Sequence, residues 1–179
     1  MKGYDYARSG AYFTTICTQN RACLFGEIIN GEMRLNDAGR MIEKWWNELN
    51  RKFPNAKTDE LVVMPNHMHG IIMITVGADL RVCPHTGGAQ NDEGAHTGAP
   101  LQEMIQWFKT MATNEYIRGV KTSDWPSFDS RLWQRNYYEH IIRNDNELDK
   151  IREYIVNNPL QWELDTENPN VGTCLPKLW

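Results

Sequence analysis

Apolar residues alternate or recur at helical spacing along the first part of the chain. Residues 11–18 (AYFTTICT) alternate and are rich in β-branched and aromatic side chains, which predicts a strand. A helix capped by Asn36 follows and ends at Pro54. Its apolar stripe consists of Ala38, Ile42, Trp45 and Leu49. Residues 60–65 and 67–75 predict two more strands, and the Pro-Asn turn between them indicates an antiparallel hairpin.

The second part of the chain predicts a helix, a strand and a final helix. The first helix covers residues 101–118, and the strand covers residues 131–142 (RLWQRNYYEHII). The final helix has a capping box of Asn144 and Glu147, and Pro159 stops it. Its buried stripe consists of Leu148, Ile151 and Ile155. This order predicts an α+β fold, a ferredoxin-like (βαββαβ) antiparallel sheet with helices on one face and an extra C-terminal helix.

Length predicts one domain over residues 1–179, because a chain of this size buries a sufficient core without division. Residues 77–100 are rich in glycine and small polar residues and lack periodicity, which predicts a flexible loop. Residues 163–179 are expected to form a C-terminal tail.

Composition narrows the class of protein. Hydrophobic residues make up 41% and charged residues 23%, as in ordinary globular domains. No apolar run reaches the length of a membrane helix, and the amino terminus lacks a secretory signal, so we expect a cytoplasmic protein. The four cysteines show no metal or disulfide spacing. A net charge of −4 argues mildly against nonspecific coating of nucleic acid, although it allows a local basic face.

His67 and His69 stand two positions apart inside the apolar run VVMPNHMHGIIMI. In a strand this spacing places both imidazoles on one face, where they could share a divalent cation. Two histidines on the solvated face of a hairpin need no metal, so the pair alone leaves both interpretations open. A hard cation such as Mg²⁺ or Mn²⁺ also needs an oxygen ligand from elsewhere in the chain.

Tyr154 and Asn158 are four residues apart in EYIVNNP and therefore share one face of the last helix, at the edge of its apolar stripe. Asn158 could supply the oxygen ligand, and Tyr154 could direct its phenol at the group that the metal polarises. The alternatives are a tyrosine that packs at the rim of the core and an asparagine that merely ends a helix. Tyr116 lies in a second EYI sequence with no amide four residues later, so we expect it to be structural.

Residues 131–143 interleave arginines with flat rings, a combination that sites for single-stranded nucleic acid use. The candidate nucleic-acid-binding residues are Arg131, Arg135, Tyr137 and Arg143. A core strand with exposed arginines explains the same pattern. The chain lacks a phosphate-binding P-loop, a G-x-S-x-G elbow and an H-E-x-x-H motif, which disfavours nucleotide hydrolysis and zinc proteolysis.

The sequence resembles the single-tyrosine transposases of the HUH family, and most closely the REP-associated tyrosine transposases. The resemblance is carried by VVMPNHMHGIIMI, WFKTMATNEY and LWQRNYYEHIIRNDNELDKIREYIVNNPLQW, and it covers about residues 4–162. The H-x-H strand alone is weakly specific, whereas its combination with YI-x-N-N-P at this separation is strongly specific.

The resemblance implies a metal-dependent DNA enzyme. Its metal ligands would be His67 and His69, with Asn158 as a third, amide-type ligand and Tyr154 as the catalytic nucleophile. The family cleaves single-stranded DNA beside a hairpin, leaving the tyrosine on the 5′-phosphate and a free 3′-hydroxyl. The implied cofactor is Mg²⁺ or Mn²⁺, the implied partner is hairpin-containing single-stranded DNA, and a monomer is favoured over a homodimer.

Two other functions are compatible with parts of the sequence. A domesticated, non-cleaving binder of structured nucleic acid would have little reason to keep Tyr154 together with both histidines. A small metal-dependent hydrolase would cut through activated water, without a covalent intermediate.

Overall fold

The computed structural model describes residues 10–75 and 100–169. They form six strands and three α-helices, which are β1 (Gly10–Cys17), β2 (Gly26–Ile29), β3 (Glu32–Leu35), α1 (Asp37–Lys52), β4 (Ala56–Val63), β5 (His67–Ile74), α2 (Pro100–Thr122), β6 (Tyr138–Ile142) and α3 (Asp145–Asn157). A 3₁₀ helix, Asn158–Leu164, continues directly from α3. Apart from Pro100, the predicted loop at 77–100 lies outside the described residues.

Four strands form one antiparallel sheet in the order β4-β5-β1-β6. With β2 and β3 set aside, the first and third strands of the sheet lie in the middle and the second and fourth at its edges. This is the ferredoxin-like order, so the predicted fold class is confirmed. The hairpin of β2 and β3 forms a separate two-stranded sheet that the sequence analysis missed.

The two faces of the sheet carry different helices. On one face Tyr12, Ile16, Met68 and Ile72 join the large core that packs against α1 and α2. On the other face Phe13, Ile71 and Ile142 form a smaller cluster with Ile155 of α3. Since side chains alternate along a strand, His67 and His69 of β5 lie on the second face, beneath α3.

Helix α1 begins as predicted, because the Asn36 side chain accepts a hydrogen bond of 2.9 Å from the Gly39 backbone N–H. Its stripe differs at one position. Trp46 is fully buried, whereas the predicted Trp45 is only half-buried at the side of the helix, against Trp107. The Trp46 indole fits into the core because Gly70 of β5 faces it without a side chain.

Gly70→Ala is expected to destabilise the fold. A Cβ atom at position 70 would lie 2.4 Å from Cζ2 of Trp46, well inside van der Waals contact. The ring or the strand must move, which costs about 1–3 kcal/mol in overpacked cores. Urea denaturation measures the loss. Gly10→Ala is the control, because its Cβ would lie 3.3 Å from the Tyr12 ring, and equal effects at the two positions would contradict the account.

The predicted strand at 131–142 is wrong over its first seven residues. Only Tyr138–Ile142 is a strand, while Trp133 makes one isolated bridge to Thr18. The Lys109 ammonium explains the irregular path, since it donates to the backbone carbonyls of Gln134 at 2.8 Å and Arg135 at 3.3 Å. Carbonyls that converge on one cation cannot also lie in a strand ladder.

Other boundaries shift modestly. Strand β4 begins at Ala56, earlier than the predicted residue 60, and α2 extends to Thr122 rather than to residue 118. Within the described ranges, no helix has the length and apolar character needed to cross a membrane. The cytoplasmic location stays a prediction.

Candidate functional site

The two histidines of β5 converge on one point under α3. Both side chains are buried, and their Nε2 atoms lie 3.1 Å apart. The rings make an edge contact with centroids 4.7 Å apart and planes inclined at 69°. The strand therefore brings the two predicted metal-ligating nitrogens together, as the spacing of two residues requires.

The other ring nitrogen of each histidine is held by a polar neighbour. Nδ1 of His67 lies 2.9 Å from Oδ1 of Asn66, and Nδ1 of His69 lies 2.8 Å from Oγ1 of Thr15. An amide oxygen only accepts hydrogen bonds, so Nδ1 of His67 must be the donor. The Nε2 atom of a neutral His67 then carries no proton, and its lone pair faces the centre of the site.

Burial keeps both imidazoles neutral. It lowers the pKa of His67 to about 3. The pKa of His69 lies well below its ordinary value because of burial and, secondarily, because of the neighbouring His67. Neutral imidazole is the form that binds a metal ion, so the surroundings favour ligation over charge.

Tyr154 reaches this point from α3. Its hydroxyl lies 3.4 Å from Nε2 of His69, and the two rings are 5.3 Å apart. Phe13 separates the site from the core, since its ring stacks on His69 at 5.4 Å and meets Tyr154 edge-on at 6.0 Å. The predicted tyrosine and histidines are thus in contact across 85 residues of sequence.

Helix α3 is anchored at both its start and its middle. The Asn144 side chain accepts from the Glu147 backbone N–H at 2.9 Å, which confirms the predicted cap. Arg152 donates through Nε to Oδ2 of Asp59 at 3.0 Å and so ties the helix to strand β4. These contacts set the position from which Tyr154 points at His69.

Asn158 lies at the end of α3 and is 2% exposed. Its Oδ1 atom is buried and has no hydrogen-bond partner among the described residues. Burial and the Asp165 carboxylate raise the pKa of Tyr154 to about 12, against a hydrogen bond from the Asn158 side chain that lowers it. The amide therefore contacts the tyrosine and keeps a free oxygen acceptor.

Asp165 completes the cluster, and the sequence analysis missed it. Its Oδ2 atom lies 3.6 Å from Nε2 of His67, and one ligand atom each from His67, His69 and Asp165 lie within 4.8 Å of one another. Residues 163–169 were predicted to belong to a tail. No local spacing distinguishes Asp165 from the exposed Glu163 nearby, so the sequence carries no clear signal for it.

The segment that carries Asp165, residues 158–169, is held against the histidine strand. Asn66 donates to the backbone carbonyl of Glu167 at 2.7 Å, and Arg21 pairs with the Glu167 carboxylate at 3.1 Å. The Trp162 ring lies 6.1 Å from the His67 ring. Asn66 therefore orients His67 through its oxygen and positions this C-terminal segment through its nitrogen.

The donor set fits a divalent cation. A carboxylate oxygen faces the lone pair of a neutral imidazole at 3.6 Å, an arrangement that no hydrogen bond relieves unless one of the two groups gains a proton. Burial, and the nearby Glu167 carboxylate, raise the pKa of Asp165, although the Glu167 backbone N–H lowers it. A bound cation would offset the repulsion and reverse these shifts. Imidazole nitrogens are ligands for divalent transition metals, and carboxylate and amide oxygens suit harder cations such as Mn²⁺ and Mg²⁺, so the set fits a divalent cation without choosing among these.

The predicted nucleic-acid-binding residues do not form one cluster. Arg135 and Tyr137 line an open groove of about 490 Å³ along α2, together with Lys109. Arg143 lines a different cavity, at the start of α3 beside Lys150. Arg131 is exposed, but it lines neither the groove along α2 nor the cavity at the start of α3. Their role in binding stays a prediction.

The chain is similar to known proteins in sequence and in fold. No family model matches the chain. An uncharacterized protein of Haemophilus influenzae is 39% identical over 166 residues, which cover 92% of this chain and 88% of that protein. A second Haemophilus influenzae protein, named "Putative REP-associated tyrosine transposase", is 22% identical over 160 residues, covering 88% of this chain and 74% of its own.

A solved structure of a REP-associated tyrosine transposase bound to a REP hairpin shares the fold, with a TM-score of 0.54 and 20% identity. The match covers 90% of this chain and 74% of that one. In sequence and in fold, the chain is therefore similar to proteins described as REP-associated tyrosine transposases, the family that the sequence resemblance predicted.

Proposed function

We propose that this protein cuts and rejoins single-stranded DNA beside a hairpin, with Tyr154 as the nucleophile and with a divalent metal ion at the histidines. The observation that carries the proposal is the approach of the Tyr154 hydroxyl to within 3.4 Å of a histidine nitrogen in the cluster of potential ligands. A phenol that only packed at the rim of the core would not need this polar, buried neighbourhood.

His67, His69 and Asp165 would hold the metal, and Asn158 would add its free amide oxygen. This ligand set contains the predicted Asn158 and, in addition, the carboxylate of Asp165, which was not predicted. When bound, Mg²⁺ or Mn²⁺ would neutralise charge on the scissile phosphate and act as a Lewis acid toward it. Thr15 and Asn66 hold the outer nitrogens of the histidines, so both rings keep the orientation that ligation requires.

Tyr154 is a weak nucleophile in the absence of substrate, because its pKa of about 12 keeps the phenol protonated at neutral pH. The hydrogen bond from Asn158 favours the phenolate, and the neighbouring Asp165 charge opposes it. Attack forms the bond between the Tyr154 oxygen and phosphorus, the phenolic proton is lost, and the 3′ oxygen departs as a hydroxyl after protonation. The 5′-phosphotyrosine keeps a phosphodiester, so a 3′-hydroxyl can reverse the reaction and rejoin the strand.

The hairpin requirement is proposed from the family, because the related solved structure is described with a REP hairpin. Arg131, Arg135, Tyr137 and Arg143 remain proposed contacts for that DNA, and a monomer remains our proposed state. The net charge of −4 favours local basic surfaces over general attraction to phosphates.

Labelled single-stranded hairpin oligonucleotides, incubated with the protein and Mn²⁺ or Mg²⁺, test this function. We expect a protein–DNA adduct that resists denaturation and a free 3′-hydroxyl fragment, both lost with EDTA. Cleavage without an adduct would support a hydrolase that uses water. Binding without cleavage at any metal concentration would support a domesticated binder, and either result would overturn the proposal.

A further inference from the structure

Tyr138 is the aromatic side chain among the exposed large hydrophobic residues in the described ranges, with 48% of its surface accessible. It begins β6 and pairs with Thr15 of β1, which pairs on its other side with His69 of β5. Paired residues in neighbouring strands point to the same face of a sheet. Tyr138 and His69 therefore share a face and lie two strands, or about 10 Å, apart.

The Phe13 ring connects Tyr138 to the candidate active site. It meets the Tyr138 ring edge-on at 6.4 Å, stacks on His69 at 5.4 Å and meets Tyr154 at 6.0 Å. Ring contacts therefore run without a gap from Tyr138 to Tyr154, and Tyr138 is the exposed end of this row. Tyr137, which the sequence favoured, lies differently: its ring lies 5.9 Å from the Lys109 ammonium and packs against the core with α1 and α2.

The chain just before Tyr138 is held in place, because Lys109 binds the backbone carbonyls of Gln134 and Arg135. A ring that is exposed, fixed in position and next to the candidate active site is suited to stack an unpaired base. Tyr138 lies on β6, which is an edge strand of the sheet. Among the described residues, no further strand pairs with β6 and blocks access to Tyr138 from that side.

We propose that Tyr138 is a positioning residue that stacks an unpaired nucleobase of the substrate and so sets which phosphate lies at Tyr154. The proposal rests on the proposed function, since it deepens the same site. Aromatic stacking in single-stranded DNA sites tolerates any base, so the contact fixes distance along the strand rather than sequence.

Fluorescence tests the contact in a Tyr154→Phe background, which we expect to bind DNA without cleaving it. The probe is a hairpin oligonucleotide with unpaired thymidine flanks and 2-aminopurine at successive flank positions. We expect quenching at one position, and we expect Tyr138→Ala and Tyr138→Leu to remove it and to weaken binding about 10-fold. Tyr138→Phe and Tyr138→Trp retain a ring and should restore both signals.

Leu160→Ala is the matched control, because Leu160 is more exposed than Tyr138 but carries no ring. Unchanged affinity and quenching in Tyr138→Ala would overturn the stacking proposal, even if wild-type protein cleaves DNA normally. Tyr138-dependent quenching in a wild-type protein that never cleaves would instead overturn the proposed catalysis and leave stacking intact. In the wild-type background, Tyr138→Ala should also spread the cleavage sites over neighbouring phosphates, an effect that lost stability alone does not produce.

Discussion

Tyr154→Phe is expected to abolish formation of the protein–DNA adduct and to lower strand cleavage by at least about 10³-fold. The substitution removes the phenolic oxygen that lies 3.4 Å from His69 Nε2, and it leaves the ring contacts with Phe13 and His69 in place. The free energy of unfolding should change by no more than about 1 kcal/mol, the usual net value of one hydrogen bond. Denaturing gels with labelled DNA measure the adduct and the cut strand together.

Tyr116→Phe is a matched control, because it removes a hydroxyl from the other EYI sequence. That hydroxyl donates to the Pro126 carbonyl at 2.9 Å, and the residue lies on α2, buried against Trp125. The control should lose about 1 kcal/mol of stability and retain cleavage. Cleavage that survives Tyr154→Phe but not Tyr116→Phe would reverse the assignment of the two tyrosines.

Asp165→Asn is expected to weaken Mn²⁺ binding at least about 10-fold, because it removes the charged ligand of the proposed set while keeping its shape. Without metal the same change should raise the melting temperature. The carboxylate then faces a neutral imidazole lone pair at 3.6 Å, and the amide relieves this repulsion. Calorimetric titration with MnCl₂ and thermal melting in EDTA measure the two effects without any DNA.

Asp165→Asn is thus expected to weaken Mn²⁺ binding but to raise the melting temperature without metal, and this combination distinguishes a metal ligand from a structural residue. A merely structural Asp165 would lower the melting temperature in EDTA when replaced, and Mn²⁺ would stabilise the variant as much as the parent. Asp149→Asn is the control, because Asp149 lies on α3 with an exposed side chain and pairs only with Arg152 among the ion pairs described. It should leave Mn²⁺ binding unchanged, whereas His67→Ala should remove it.

The parts of the site that the sequence predicts are those with a local rule. Alternation along a strand puts His67 and His69 on one face, and helical spacing puts Asn158 beside Tyr154. The capping box of Asn144 and Glu147 sets where α3 begins. Each rule acts within a few residues, so one sequence suffices to apply it.

No local rule of this kind predicts the position of Asp165. It reaches the histidines because Asn66 and Arg21, which lie about a hundred residues or more earlier in the chain, hold Glu167 in place. The preference for Tyr137 over Tyr138 has a similar origin. Which of the two adjacent rings faces the site depends on where β6 begins, and Lys109 of α2 delays that beginning by binding the preceding carbonyls. Contacts between distant segments decide both cases, and periodicity does not record them.

The most direct test of the central claim is to identify the residue that carries DNA after cleavage. The protein is incubated with Mn²⁺ and a single-stranded hairpin oligonucleotide, digested with nuclease and trypsin, and analysed by mass spectrometry. We expect a nucleotide linked through its 5′-phosphate to the peptide that begins after Arg152, with the modification on Tyr154. Modification of another residue, or efficient cleavage with no modified peptide, would contradict it.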